Sequence, residues 1–149
     1  MELQALTEPD LIFPGLPAFD IPSVLRAFAD RLAGADLVAD GDKLYEALWE
    51  REQLGSTGIG EGVAVPHCKL AKLKRVILAI GHVPKGIDFA AVDKSPVQLF
   101  FCVVSPESEP AAHLQCLQAI SAWLKQNDES RRILEMDDPE AIYEFLSRG

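Results

Sequence analysis

Between Pro96 and Pro106 lies VQLFFCVVS, Val97 to Ser105, a nearly continuous apolar run rich in β-branched and aromatic residues. A strand with one wet face alternates apolar and polar residues; a run that does not alternate is covered on both faces. This run therefore demands one layer above it and another below. Two more runs have strand character: RVILAIGHV (Arg75 to Val83) and the short Val63 to Val65. The residues between the long runs, PKGIDFAAVDKSP, are loop or hairpin material with room for a short strand pair.

Helical segments flank the strands and supply the covering layers. Asp20 precedes IPSVLRAFADRLAG, with Pro22 suited to the first turn and Gly34 to the end. Val24, Leu25, Phe28 and Leu32 recur at helical spacing and mark the core face. A second helix, DGDKLYEALWERE, starts near Asp40, turns Leu44, Leu48 and Tyr45 to one side, and delivers Arg51 to its last turn. After the strands, EPAAHLQCLQAISAWLKQ carries Leu114, Leu117, Ile120 or Ser121, and Leu124 at helical spacing. A short helix near Asn127 to Glu135 follows, then DDPEAIYEFLS with Asp138 as cap and Pro139 in the first turn. The strands lie too close in sequence for every link to be a helical crossover. The expected fold is a single α/β domain, residues 1–149, with a mixed sheet of four or five strands and helices on both faces.

Fourteen basic residues against twenty-three acidic ones give a net charge of −9. A field of that sign repels phosphate backbones and anionic lipid, which argues against nucleic acid and membrane surfaces as partners. No apolar run approaches the roughly 18 residues of a membrane span. The N-terminus, MELQALTEPD, lacks a basic region followed by an apolar block, so no signal peptide is expected. Cys68, Cys102 and Cys116 form no CxxC pair and are odd in number. They fit a reducing compartment, and the expected location is cytoplasmic.

The chemistry concentrates in Gly55 to Leu70, GSTGIGEGVAVPHCKL, where four glycines fall within eight residues. A phosphate-binding P-loop reads GxxxxGK[ST], and Glu61 stands where its lysine belongs. A dinucleotide fingerprint follows a strand and opens a helix; here the order is reversed. The bland account of the glycines is a tight loop needing positive φ. Their company suggests more: Ser56 and Thr57 bring hydroxyls, Gly58 and Gly60 leave backbone N–H groups bare, and Arg51 is close by, together a small anion cradle. For His67, following Pro66 at a strand end, three readings stand: a hydrogen-bonded core histidine, a metal ligand, or a nucleophile toward phosphorus. Cys68, His113 and Cys116 could join a zinc site, but neighbours in an extended segment point to opposite faces, so His67 and Cys68 do not share an ion. The same geometry weakens a Cys68–His67 nucleophile–base pair. No metal or cofactor is expected, and His82, ending an apolar strand, receives no role.

The run from Glu50 through Arg51, Glu52, Gly55, Ser56, Thr57, Gly58 and Gly60, followed by Gly62-Val63-Ala64-Val65-Pro66-His67, resembles the phosphorylation signature of the fructose/mannitol-type enzyme IIA family of the phosphotransferase system. That family includes a nitrogen-regulatory branch, IIA-Ntr or PtsN. Gly86-Ile87-Asp88-Phe89, the strand Pro96 to Val104, Ser105-Pro106-Glu107, His113-Leu114 and Asp138-Pro139-Glu140 fall in family order. The likeness runs from Val24 or Leu25 to the end, and the first twenty residues match loosely.

The resemblance implies an α/β sandwich and a phosphoryl relay. His67 would be the phosphoacceptor, on its tele nitrogen Nε2, taking phosphate from the carrier HPr or its paralogue NPr. Arg51 would steady the phosphoryl group, and His113 would sit beside His67, bonded to it or to the phosphate. Ser56, Thr57, Gly58 and Gly60 would complete the phosphate site. The acceptor would be the cysteine of a IIB domain in sugar uptake, or a target protein would read the phosphorylation state in regulation. A binding module that keeps the fold without cycling phosphate is a weaker implication. Cys68 departs from the family, which often has glycine there, and makes the site a candidate for oxidation.

Overall fold

In the computed structural model, which describes residues 2–148, the two long apolar runs pair antiparallel at the centre of the sheet. After 3-10 turns at Leu3–Leu6 and Pro9–Leu11, the elements follow as β1 (Ile12–Phe13), α1 (Ile21–Gly34), α2 (Gly41–Gln53), β2 (Gly58–Gly60), β3 (Val63–Ala64) and β4 (His67–Leu70). Then come β5 (Ile77–Ile87), β6 (Val97–Pro106), α3 (Pro110–Gln126), a 3-10 helix at Ser130–Glu135 and α4 (Pro139–Phe145). β6 lies between β5 on one side and β3 and β4 on the other; β1 flanks β5 and β2 flanks β3. Parallel and antiparallel pairs mix, as expected, but the sheet has six strands where the sequence marked four or five. β1, β2 and β4 escaped notice because two to four residues are too few to show a period, and two of the three in β2 are glycine. The short pair allowed for in PKGIDFAAVDKSP does not form, since β5 itself runs on to Ile87.

β3 and β4 run beside β6 in one unbroken register, Val63 opposite Leu99 and His67 opposite Val103. Pro66 interrupts this line without ending it. It withholds one ladder donor, yet its carbonyl accepts the Val103 N–H at 2.9 Å. His67 therefore opens a strand, where the sequence suggested that it followed the end of one.

Alternation along the strands sorts the core into two layers. Phe100, Cys102 and Val104 of β6 join Ala64, Cys68, Ile77 and Ala79 under α1 and α2, against Val24, Leu25, Phe28, Leu32, Leu44 and Leu48. Leu99, Phe101 and Val103 join Val63, Val65, Leu78 and Ile80 under α3 and α4, against Cys116, Ile120, Trp123 and Phe145. Asp20 caps α1 in a reciprocal box with Ser23 and Asp138 caps α4, as the sequence reading placed them, and Asp40, near which α2 was expected to start, caps that helix.

The face of α3 differs from the leucine pattern. The buried stripe is His113, Cys116, Ile120 and Trp123, while Leu114 is 55% exposed and Leu117 and Leu124 are half-buried. Two polar tips set this rotation. His113 Nδ1 meets the Ser105 hydroxyl at 2.6 Å, and Trp123 Nε1 donates to the Leu146 carbonyl at 3.1 Å. Counting leucines overlooks residues that are buried because their polar atom has a partner inside. His82 has the same kind of role: Gly15 N donates to its Nδ1 at 3.1 Å and its Nε2 meets Met136 O at 2.8 Å, tying the N-terminal segment to the chain before α4.

Candidate functional site

Three elements meet at His67. The strand period turns it with Val63 and Val65 toward the α3 layer, while Cys68 turns to the α1–α2 layer. α2 ends beside it and presents Arg51 from its last turn; α3 begins beside it and presents His113 from its first. Arg51 Nε lies 3.2 Å from His67 Nε2, and the His67 and His113 ring centroids are 5.5 Å apart at 52°. The structure thus gathers Arg51, His67 and His113 from positions 62 residues apart at the extremes.

The hydrogen bonds fix the state of the His67 ring. Its Nδ1 lies 2.7 Å from the Val65 carbonyl, an acceptor only, so the proton is on Nδ1. Nε2 then carries the lone pair, and Arg51 Nε–H donates to it. Arg51 is itself held by a second bond, from Nη1 to the Gly55 carbonyl at 2.9 Å. Burial lowers the pKa of His67, with the charges of Arg51 and Lys69 adding to the effect and the Val65 bond opposing it. Burial, the neighbouring His67 and Lys69 hold His113 down at about 4. Both rings are neutral at neutral pH. A neutral imidazole with a bare Nε2, half-buried and backed by a guanidinium, can attack an electrophilic phosphorus and then hand its oxygens to a cation.

Ser56, Thr57 and Gly58 form the mount of this site. The Ser56 hydroxyl donates to the Phe89 carbonyl at 2.5 Å and accepts the Gly58 N–H at 3.0 Å. Thr57 gives both its N–H and its hydroxyl to the Glu52 carboxylate, each at 2.7 Å. Their polar groups are committed within the chain, which leaves Arg51 and His113 as the polar walls around Nε2. Gly60 ends β2 at φ +94°, packed against Asp93, and Glu61 N in the turn that follows donates to Asp93 Oδ2 at 2.9 Å. Cys68 is buried in the opposite layer, and burial pushes its thiol up to about 12. A thiol kept protonated in the core is a weak nucleophile, which runs against the expected sensitivity to oxidation.

Residues 5–149 match the model of the family described as phosphoenolpyruvate-dependent sugar phosphotransferase system, EIIA 2. The chain belongs to this enzyme IIA family. It is 33% identical over 148 residues to a nitrogen regulatory protein of Bradyrhizobium diazoefficiens, covering 99% of this chain and 95% of that one. It is also 30% identical over 146 residues to a fructose-specific EIIA component of Haloferax volcanii, covering 98% and 95%. Among solved structures, the nitrogen regulatory protein IIA-Ntr of Neisseria meningitidis superposes with a TM-score of 0.86 at 25% identity, over 97% and 98% of the two chains. As an enzyme IIA, the protein is a phosphoryl-relay component of the phosphotransferase system. None of its described helices is long and apolar enough to cross a membrane.

Sequence reasoning assigned no role to two side chains of the site, Glu52 and Ser105. Glu52 continues the buried stripe of Leu44 and Leu48 at the next helical step, and a carboxylate in a core position signals a polar partner inside. Ser105 closes the apolar run of β6 and is fully buried, with its hydroxyl on His113. The Val65 carbonyl, which sets the tautomer of His67, left no signal at all, because any residue supplies one.

Proposed function

We propose that this enzyme IIA accepts a phosphoryl group on Nε2 of His67 from the phosphohistidine of a carrier of the HPr or NPr kind, and that its phosphorylation state serves regulation of the nitrogen-regulatory type. The observation carrying the chemistry is the pair of bonds on the His67 ring: Nδ1–H on the Val65 carbonyl at 2.7 Å and a bare Nε2 beside Arg51.

As Nε2 attacks, its bond to phosphorus forms while the bond from phosphorus to the donor's ring nitrogen breaks. The donor leaves as a neutral imidazole. The acceptor ring keeps its Nδ1 proton and becomes a phosphorylated cation, whose charge the Val65 carbonyl stabilises. No proton has to move, and one phosphoimidazole replaces another, so the exchange is close to balanced and reversible. Catalysis then rests on placing charge around the transferring group. Arg51 releases Nε2 as phosphorus arrives and turns its N–H groups to the phosphoryl oxygens. With the Ser105 hydroxyl donating to Nδ1, His113 holds its proton on Nε2 and offers it to a further oxygen. The glycine segment holds these groups in place.

The regulatory reading follows the nitrogen regulatory relative and structural neighbour, which match this chain over nearly their whole lengths. A second reading, transfer from His67 to a IIB cysteine in sugar uptake, has support in the fructose-specific relative. One reconstitution separates them: the protein with phosphoenolpyruvate, enzyme I and HPr or NPr, then with candidate IIB domains. Labelled protein that keeps its phosphate in the presence of every IIB supports regulation. Rapid transfer to one IIB makes it a transport component, and no labelling from either carrier overturns the relay.

A further inference from the structure

Glu52 is a carboxylate in a core position that the transfer chemistry leaves unused. It is buried at the end of α2, and that burial raises its pKa against the opposing effects of the Thr57 bonds and Arg51. A buried carboxylate is costly unless its oxygens are satisfied. Here a single residue satisfies both, Thr57 donating its N–H to Oε2 and its hydroxyl to Oε1 at 2.7 Å each.

Thr57 stands at the head of a segment in which three of the next five residues are glycine. Such a segment has little rigidity of its own. From Thr57 the bonding continues: its carbonyl accepts the Val65 N–H at 2.9 Å, and the Val65 carbonyl faces His67 Nδ1 at 2.7 Å. Three residues in series thus connect a fixed point on a helix to the imidazole.

We infer that Glu52 is a positioning residue that sets the tautomer of His67, acting through Thr57 and Val65 to keep the proton on Nδ1 and the lone pair on Nε2. The inference rests on the reading of Nε2 as the phosphoacceptor. Neutral imidazole has two tautomers, and the one with its proton on Nε2 cannot attack through that nitrogen. The choice between them depends on whether the Val65 carbonyl stays within reach of Nδ1. Glu52 secures that carbonyl by fastening Thr57, the point where the glycine segment would otherwise slide. Geometry does this work, since the Arg51 guanidinium and not the Glu52 charge faces the ring. A glutamine can engage the same Thr57 groups, accepting the N–H and donating to the hydroxyl oxygen. An aspartate, one methylene shorter, cannot reach them.

The test pairs long-range ¹H–¹⁵N correlation spectra of the His67 ring with rates of phosphoryl transfer from phosphorylated HPr. Wild type is expected to show a protonated Nδ1 and a bare Nε2. Glu52→Ala should show a mixture of tautomers and a kcat lowered on the order of 10- to 100-fold, with KM for the carrier unchanged. Glu52→Gln should restore both readings. A folded Glu52→Ala protein with the wild-type ¹⁵N pattern and rate overturns the inference. Should that variant not fold, Glu52→Asp carries the same two outcomes. If the wild-type tautomer is as stated and Glu52→Ala disturbs it, but no phosphate reaches His67, the positioning role stands and the phosphoacceptor reading falls.

Discussion

A histidine that is to accept a phosphoryl group needs one ring nitrogen bare and the other occupied, and His67 meets both conditions through a backbone carbonyl and burial rather than through a neighbouring acid. Arg51 caps Nε2 in the structure, and in the proposed transfer it would also be the cation for the incoming oxygens. Its loss removes both, and the second effect dominates because charge stabilisation during transfer is the larger quantity. Arg51→Ala should slow transfer from phosphorylated HPr by on the order of 10- to 1,000-fold, measured by rapid quench. Arg51→Lys should recover little, since a single ammonium cannot hold Gly55 O and reach His67 together. An unchanged rate in Arg51→Ala would remove Arg51 from the chemistry. His67, Arg51 and His113 were legible in the sequence as a histidine after a proline, an arginine before a glycine run and a family motif. Glu52 and Ser105 were not, because each does its work from inside the core. Only the position of Glu52 on the Leu44–Leu48 face hinted at its burial.

The elements contribute by holding short, weakly patterned pieces in place. β2 has three residues and β3 two, so neither would persist without neighbours. Gly58 shows why a glycine is needed at this point. A Cβ there would come within 2.8 Å of the Ala91 Cβ and 3.1 Å of its Cα, pushing the β2 strand off the hairpin that Ser56 anchors through Phe89. Gly58→Ala should therefore cost roughly 1–3 kcal/mol in urea unfolding and slow phosphoryl transfer as well, since the displaced strand carries Thr57 with it. A variant with wild-type stability would mean that the hairpin yields freely. The long elements were readable because α1 and α2 repeat a helical period behind a starting aspartate, while β5 and β6 are long apolar runs, β6 bounded by prolines. α3 was found, yet its face was misread, since His113, Cys116 and Trp123 define it and leucines do not.

At the scale of the whole molecule, β6 has a layer on each face, as its unbroken apolar run required, and the site sits where a strand and two helix ends converge. Burying two neutral histidines there makes stability depend on pH. The folded pKa values of His67 and His113 lie below the ordinary value near 6.5, so between the two values the unfolded chain binds more protons. Their contribution is complete above about 6.5 and is lost as pH falls toward about 4, the value for His113. Glu52, raised by burial, acts in the opposite direction at the acid end and offsets part of this loss. Urea midpoints should fall from pH 7 to pH 4.5, and His113→Gln should flatten the slope. A midpoint independent of pH in the wild-type protein would contradict the burial of these rings as neutral groups.

The central claim is that phosphate enters on a particular nitrogen of a particular residue. The direct measurement is heteronuclear NMR on the ¹⁵N-labelled protein after phosphorylation with phosphoenolpyruvate, enzyme I and HPr or NPr, reading the ³¹P–¹⁵N coupling. The account predicts one phosphorylated histidine, His67, with the coupling on Nε2 and the proton retained on Nδ1, and no label on His67→Ala. Phosphate on Nδ1, on His113, or persisting in His67→Ala would contradict it.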